Sequence, residues 1–196
     1  MTLGNHTYRR EGIGAYLAQS DVVIRPANAG TWTPGKGIAF VRARNDVEVA
    51  VISLMGSLFI DVAQSPWEIV DTLVDEARAR TPVVVVDFHA EATSEKVAMA
   101  RWLDGRVTAV IGTHTHVQTN DARIQPGGTA AITDAGMTGP HDSVIGVKAD
   151  LAISRMRTRL PVRFEPAEGG VRLEGVVVEC SHDGRATGIE LLRVAL

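Results

Sequence analysis

The sequence predicts a mixed α/β domain, and three observations carry that reading. Residues 83–86 are four consecutive valines and residues 107–111 a second apolar run, typical of strands buried on both faces. Segments with helical spacing of apolar residues stand before and between these runs. Nearer both ends the pattern becomes strand–turn–strand, with Asn45-Asp46 and Asp183-Gly184 at the turns. Two stacked sheets with helices outside accommodate such a chain. No repeat, low-complexity tract or linker divides it, so residues 1–196 read as a single domain.

The elements follow in order. Residues 21–25 read as a short strand stopped by Pro26, before a polar Gly/Pro-rich loop over 28–37. Residues 37–42 and 47–55 are two strands flanking Asn45-Asp46. Ser65-Pro66-Trp67-Glu68 opens a helix: serine can cap it, proline is tolerated at the first helical position, and the glutamate can close a capping box. Ile69, Leu73, Val74 and Ala77 then form its core-facing stripe. A second helix is expected from about Ser94 to Gly105, capped by Thr93 or Ser94. Residues 107–111 and 129–133 are two further strands, and residues 171–180 and 186–194 form a hairpin.

Composition excludes several classes. A hydrophobic share of 45% with 22% charged residues is ordinary for a globular protein. The net charge of −3 lacks the basic footprint of a nucleic-acid-polymer binder. No apolar run of membrane-spanning length exists, and the opening residues lack the apolar core of a signal peptide. Cys180 is the only cysteine, which rules out an internal disulfide and suits a reducing cytoplasm, the expected location.

The chemistry collects at strand ends. His89 follows residues 83–86 through Asp87-Phe88, and His114 and His116 follow residues 107–111 through Gly112-Thr113. His6 follows Gly4-Asn5. Open α/β sheets bind ligands outside the carboxyl ends of their strands, where these imidazoles can converge. Residues two apart in an extended segment share a side, so His114 and His116 are expected to reach one centre or two adjacent ones. Imidazole suits several transition metals. A two-metal site also needs a bridging, charge-neutralising ligand, and no nearby carboxylate convinces. Asp87 is expected to face away from His89 or to support it from behind, Glu91 and Glu95 to serve a helix start, and Asp134 to orient a histidine.

Gly4-Asn5-His6, the lone His89 and Gly112-Thr113-His114-Thr115-His116 resemble the ordered signature of calcineurin-like metallophosphoesterases. Residues 87–96, 112–118 and 133–140 resemble, more narrowly, the bacterial 2′,3′-cyclic-nucleotide 2′-phosphodiesterase family. That resemblance implies a four-layer α/β/β/α sandwich holding two divalent transition metals, iron or manganese. It assigns Asn5, His89 and His114 to one metal and His116 to the other. His6 becomes a catalytic residue that contacts phosphate and protonates the leaving oxygen. The implied activity is hydrolysis of cyclic nucleotides, 2′,3′- and as a second class 3′,5′-, by a metal-bridging hydroxide.

The resemblance also implies an upstream strand ending in a metal-binding Asp and another ending in Glu-Asn, which would place Met1 roughly 60 residues late. A regulatory protein that kept the fold after losing those acidic ligands is the alternative reading. An amidohydrolase also uses His-x-His, but its barrel of ~250 residues does not suit the C-terminal hairpin. Homo-oligomerisation is left open.

The remaining residues have plainer expectations. Cys180 is expected to be a small buried hydrophobe and Trp67 and Trp102 core residues. Trp32, in the Gly/Pro-rich loop, is the better candidate for stacking on a base. His141 and His182 are read as loop histidines.

Overall fold

The computed structural model describes all 196 residues. A six-stranded sheet is built from β1 (Ile38–Arg42), β2 (Glu48–Met55), β3 (Val84–His89), β4 (Ala109–Thr113), β5 (Arg123–Ile124) and β6 (Ala130–Ile132), in the order β1-β2-β3-β4-β6-β5. Its four central strands run parallel, and β1 and β5 pair antiparallel at the two edges. The parallel crossovers are made by α2 (Pro66–Arg78) and α3 (Thr93–Trp102). A second sheet joins β7 (Gly139–Pro140) to the hairpin of β8 (Val171–Cys180) and β9 (Ala186–Ala195).

Strand alternation decides what lies on each face. Ala50, Ile52 and Leu54 of β2, with Val84, Val86 and Phe88 of β3, pack against Val70, Val74 and Ala77 of α2, Met99 and Ala100 of α3, and Leu103 just after it. The intervening residues face the other way: Val85, Ala109, Ile111 and Ala130 meet Val178, Ala186 and Ile189 of the hairpin. The valine run is thus a strand covered on both sides, as its composition predicts. The result is three layers, helix on sheet on sheet. No helix packs broadly over the outer face of the smaller sheet, where Val177, Leu192 and Val194 are exposed. Of the four-layer sandwich, the mixed sheets and one helical layer are present.

Local differences have local causes. Residues 21–25 make only an isolated parallel bridge, Thr2 to Ile24. Neither α2 nor α3 has a side-chain cap; α2 starts on Pro66 with Ser65 before it, while Ala92 occupies the cap position of α3. Two helices carried no clear sequence pattern: α1 (Ile13–Gln19), which buries only Leu17, and α4 (Ala149–Thr158), which buries only Ala152. Trp67 and Trp102 are partly exposed; the indole of Trp102 donates to Asp71 at 3.0 Å. Cys180 is exposed, lining an open groove with Val47, Val49, Pro82 and Val83.

The register places the functional end. Met55 pairs with His89, and His89 with Thr113, so β2, β3 and β4 finish level with one another. The loops that follow them therefore emerge side by side.

Candidate metal centre

His89 is the last residue of β3, and the strand is still extended there. Asp87 consequently lies on the same side as His89 rather than facing away, and the two are joined through Thr113. The Thr113 hydroxyl donates to Asp87 Oδ1 at 2.8 Å, and His89 Nδ1 lies 3.0 Å from the same hydroxyl oxygen. The hydroxyl proton being committed to Asp87, Nδ1–H of His89 donates to Thr113. The lone pair of His89 then sits on Nε2. Burial is the main reason the Asp87 carboxyl is pushed up.

His89 Nε2 points at two further atoms, Asn5 Oδ1 at 3.1 Å and His114 Nδ1 at 3.0 Å. The two imidazoles meet edge to face, with centroids 4.8 Å apart. His114 Nε2 is 2.9 Å from Glu91 Oε2, a close contact between imidazole and carboxylate. Glu91 thus supports a histidine instead of a helix start. Three atoms able to bind a metal, His89 Nε2, His114 Nδ1 and Asn5 Oδ1, face one another. Burial first, then the neighbouring His114, holds the pKa of His89 down at about 4, so this imidazole is neutral at pH 7, as a metal ligand must be.

A transition metal fits this donor set. Ligand atoms at ~2.0–2.1 Å from one ion lie ~3.0–3.4 Å apart when they occupy neighbouring coordination positions. The contacts of 3.0 and 3.1 Å match that spacing. Gly4 shapes the approach: a Cβ there would sit 2.4 Å from both Cε1 and Nε2 of the His89 ring.

His116 stands apart. Residues 114–116 are not extended as expected, because β4 ends at Thr113 and the backbone turns. His114 takes φ +108° and His116 φ +66°, left-handed conformations that cost ~1–3 kcal/mol each and collect at functional sites. The His116 ring bonds Ile145 O through Nδ1 at 3.1 Å and is exposed. No group of three or more His, Cys, Asp and Glu side chains converges as a metal cage. His6 is exposed next to Asn5, within electrostatic reach of His114 and His116; burial first, then Arg9, lowers its pKa.

Asp134 and Glu95 differ from expectation. Asp134 is buried and touches no histidine: it pairs with Lys96 and holds Thr115. Glu95 is buried and accepts from the backbone N–H and hydroxyl of Ser57 and the N–H of Leu58, bracing the loop after β2. Trp32 is 98% exposed beside an open groove of about 540 Å³, but none of the four histidines lines that groove. His141 bonds Met137 O at 3.2 Å, and His182 is exposed.

The comparisons with known proteins decide the family. A family described as YmdB-like protein matches residues 1–192. The chain belongs to the YmdB-like family. YmdB-like proteins are metallophosphoesterases, which agrees with the resemblance carried by the histidine motifs. The chain is 50% identical over 179 residues to the 2′,3′-cyclic-nucleotide 2′-phosphodiesterase of Bacillus subtilis, covering 91% of this chain and 67% of that protein. A crystal structure of a hypothetical protein from Thermus thermophilus superposes with a TM-score of 0.91 at 37% identity, over 99% of this chain and 75% of that one. A novel phosphatase of Mycoplasma pneumoniae superposes with a TM-score of 0.86 at 32% identity, over 99% of this chain and 71% of that one. The YmdB-like fold is therefore a mixed α/β fold shared with a phosphatase. No helix of the chain is long and apolar enough to cross a membrane.

Proposed function

We propose that this YmdB-like chain carries the greater part of a metal-dependent phosphodiesterase site for cyclic nucleotides. The observation that carries the reading is the convergence of three atoms able to bind a metal, from Asn5, His89 and His114, on one point. The substrate class is supported by the 50% identity to a 2′,3′-cyclic-nucleotide 2′-phosphodiesterase. The 3′,5′-cyclic nucleotides are the comparison substrates.

Divalent transition metal, iron or manganese by family resemblance, supplies an activated water and neutralises developing charge on the phosphoryl oxygens when bound. The chain's residues do the rest. His89 is oriented by the Asp87–Thr113 relay and His114 by Glu91, so both rings are aimed before any ligand arrives. Asn5 completes that set through Oδ1, and His116 serves the second ion. His6 donates the proton that the departing ribose oxygen needs as its bond to phosphorus breaks.

The three-atom set favours one ion strongly, while His116, alone with its backbone bond to Ile145, leaves the second weakly held. Elemental analysis of chelator-free protein tests this, with clearly fewer than two metals per chain as the expected result. Two tightly held metals would sink the assignment, pointing to Asp87 or Asp134 as an unassigned bridge. Hydrolysis of 2′,3′-cyclic AMP in the presence of manganese, assayed beside the 3′,5′ isomer, tests the substrate class. Metal binding without hydrolysis of either ring would favour the regulatory reading.

A further inference from the structure

We propose that the buried Lys96–Asp134 pair is a positioning device that clamps Thr115 and so holds His114 and His116 in their left-handed conformations. This rests on the metal-centre reading given above, and it extends the site to a layer that touches neither metal nor substrate.

The pair spans two elements. Lys96 is on α3 and Asp134 closely follows β6; their side chains are 3% and 1% exposed and meet at 3.0 Å. Asp134 Oδ2 accepts three donors: Lys96 Nζ, the Thr115 backbone N–H at 2.9 Å and the Thr115 hydroxyl at 2.8 Å. Oδ1 accepts the Gly136 N–H at 3.0 Å. The backbone around it is laced to the same loop. Thr119 N–H donates to Asp134 O, Ala135 N–H to Gly112 O, and Asp134 N–H to the Thr119 hydroxyl oxygen. Gly112 permits this close lamination, because a Cβ there would fall 1.9 Å from Thr133 O.

Two physical arguments turn this arrangement into a role. A buried ion pair is often no more stabilising than apolar side chains of the same volume, so its presence here calls for more than stability. Second, two closely spaced strained histidines relax unless their surroundings over-determine them. Thr115 is the residue between them, and it is held from behind by a carboxylate through both its amide and its hydroxyl. Lys96 Nζ meets the same oxygen at 3.0 Å, and hydrogen bonds between groups of opposite charge are the strong ones. Thr115 thus transmits the rigidity of α3 and β6 to the metal-facing turn.

The test is Mn(II) affinity, measured by titration calorimetry on the full chain beside its thermal melt. Asp134→Asn and Thr115→Val should each weaken binding ~10–100-fold, the usual effect of losing an outer support of metal ligands. Thr115→Ser keeps the hydroxyl and should restore wild-type affinity. Val74→Ala, in the core beneath α2, is the control: it lowers the melt and leaves affinity unchanged. Should Asp134→Asn fail to fold, the Thr115 pair carries the test alone. Wild-type affinity in Thr115→Val, or affinity that simply tracks the melt across all variants including Val74→Ala, would overturn the proposal. A wild-type chain that binds no Mn(II) would instead overturn the metal-centre reading, and this inference with it.

Discussion

Gly4→Ala is the smallest change that tests the candidate centre. Gly4 is not among the residues with positive φ, so alanine is acceptable to the backbone there. Its turn is set by Thr7, whose N–H and hydroxyl both donate to Gly4 O. The added Cβ, however, would stand 2.4 Å from Cε1 and Nε2 of His89. Ordinary contact needs ~3.5–4.0 Å, so the ring must retreat by ~1 Å. It cannot retreat freely, since Nδ1 is tied to Thr113 and, through it, to Asp87. A ligand displaced by ~1 Å is expected to cost ~10²-fold in function, which at 1.4 kcal/mol per decade is ~3 kcal/mol of binding. Folding stability should fall by ~1–3 kcal/mol, because the added methyl overpacks against a ring that is held in place. Mn(II) titration and thermal melting of Gly4→Ala beside wild type measure both quantities. Affinity within about threefold of wild type, against the ~10²-fold loss expected, would show that His89 is not held as a ligand at this point.

Two further outcomes separate roles within the cluster. In an active form of the enzyme, His6→Ala should keep its metal and lose ~10²–10⁴-fold in kcat, with a smaller loss on bis(p-nitrophenyl) phosphate, whose leaving group needs little protonation; His114→Ala should lose metal and activity on both substrates. Equal metal loss in the two variants would place His6 among the ligands. The metal-free protein should also be acid-sensitive. His89 titrates at about 4 in the fold against 6.5 when free, so the unfolded chain takes up the proton first. Stability is therefore complete above about 6.5 and drains as pH falls toward 4, by ~2–3 kcal/mol after allowance for partial exposure. Urea melts at pH 7 and 4.5 should show that loss in wild type and much less of it in His89→Gln; an equal loss in both would assign the acid sensitivity elsewhere.

What the sequence determined by itself was local. Residues 83–86 read as a doubly covered strand because four β-branched side chains permit little else, and Asp183-Gly184 marked the hairpin because a tight turn needs such residues. The order of His6, His89, His114 and His116 carried the family, since that spacing is a property of the chain and not of its packing. The tertiary structure decided the rest. Residues 21–25 found only a bridge, because a strand exists only where a partner's backbone is in reach. Alternation along an extended chain does not apply to His114 and His116, because the backbone leaves β4 at Thr113 and turns through two left-handed residues. Asp87 proved to share a side with His89 only once β3 was seen to stay extended to its last residue. Asp134 and Lys96 are 38 positions apart, and no periodicity links them. Their meeting depends on α3 packing against the sheet beside β6, a consequence of burying apolar surface that no local pattern encodes.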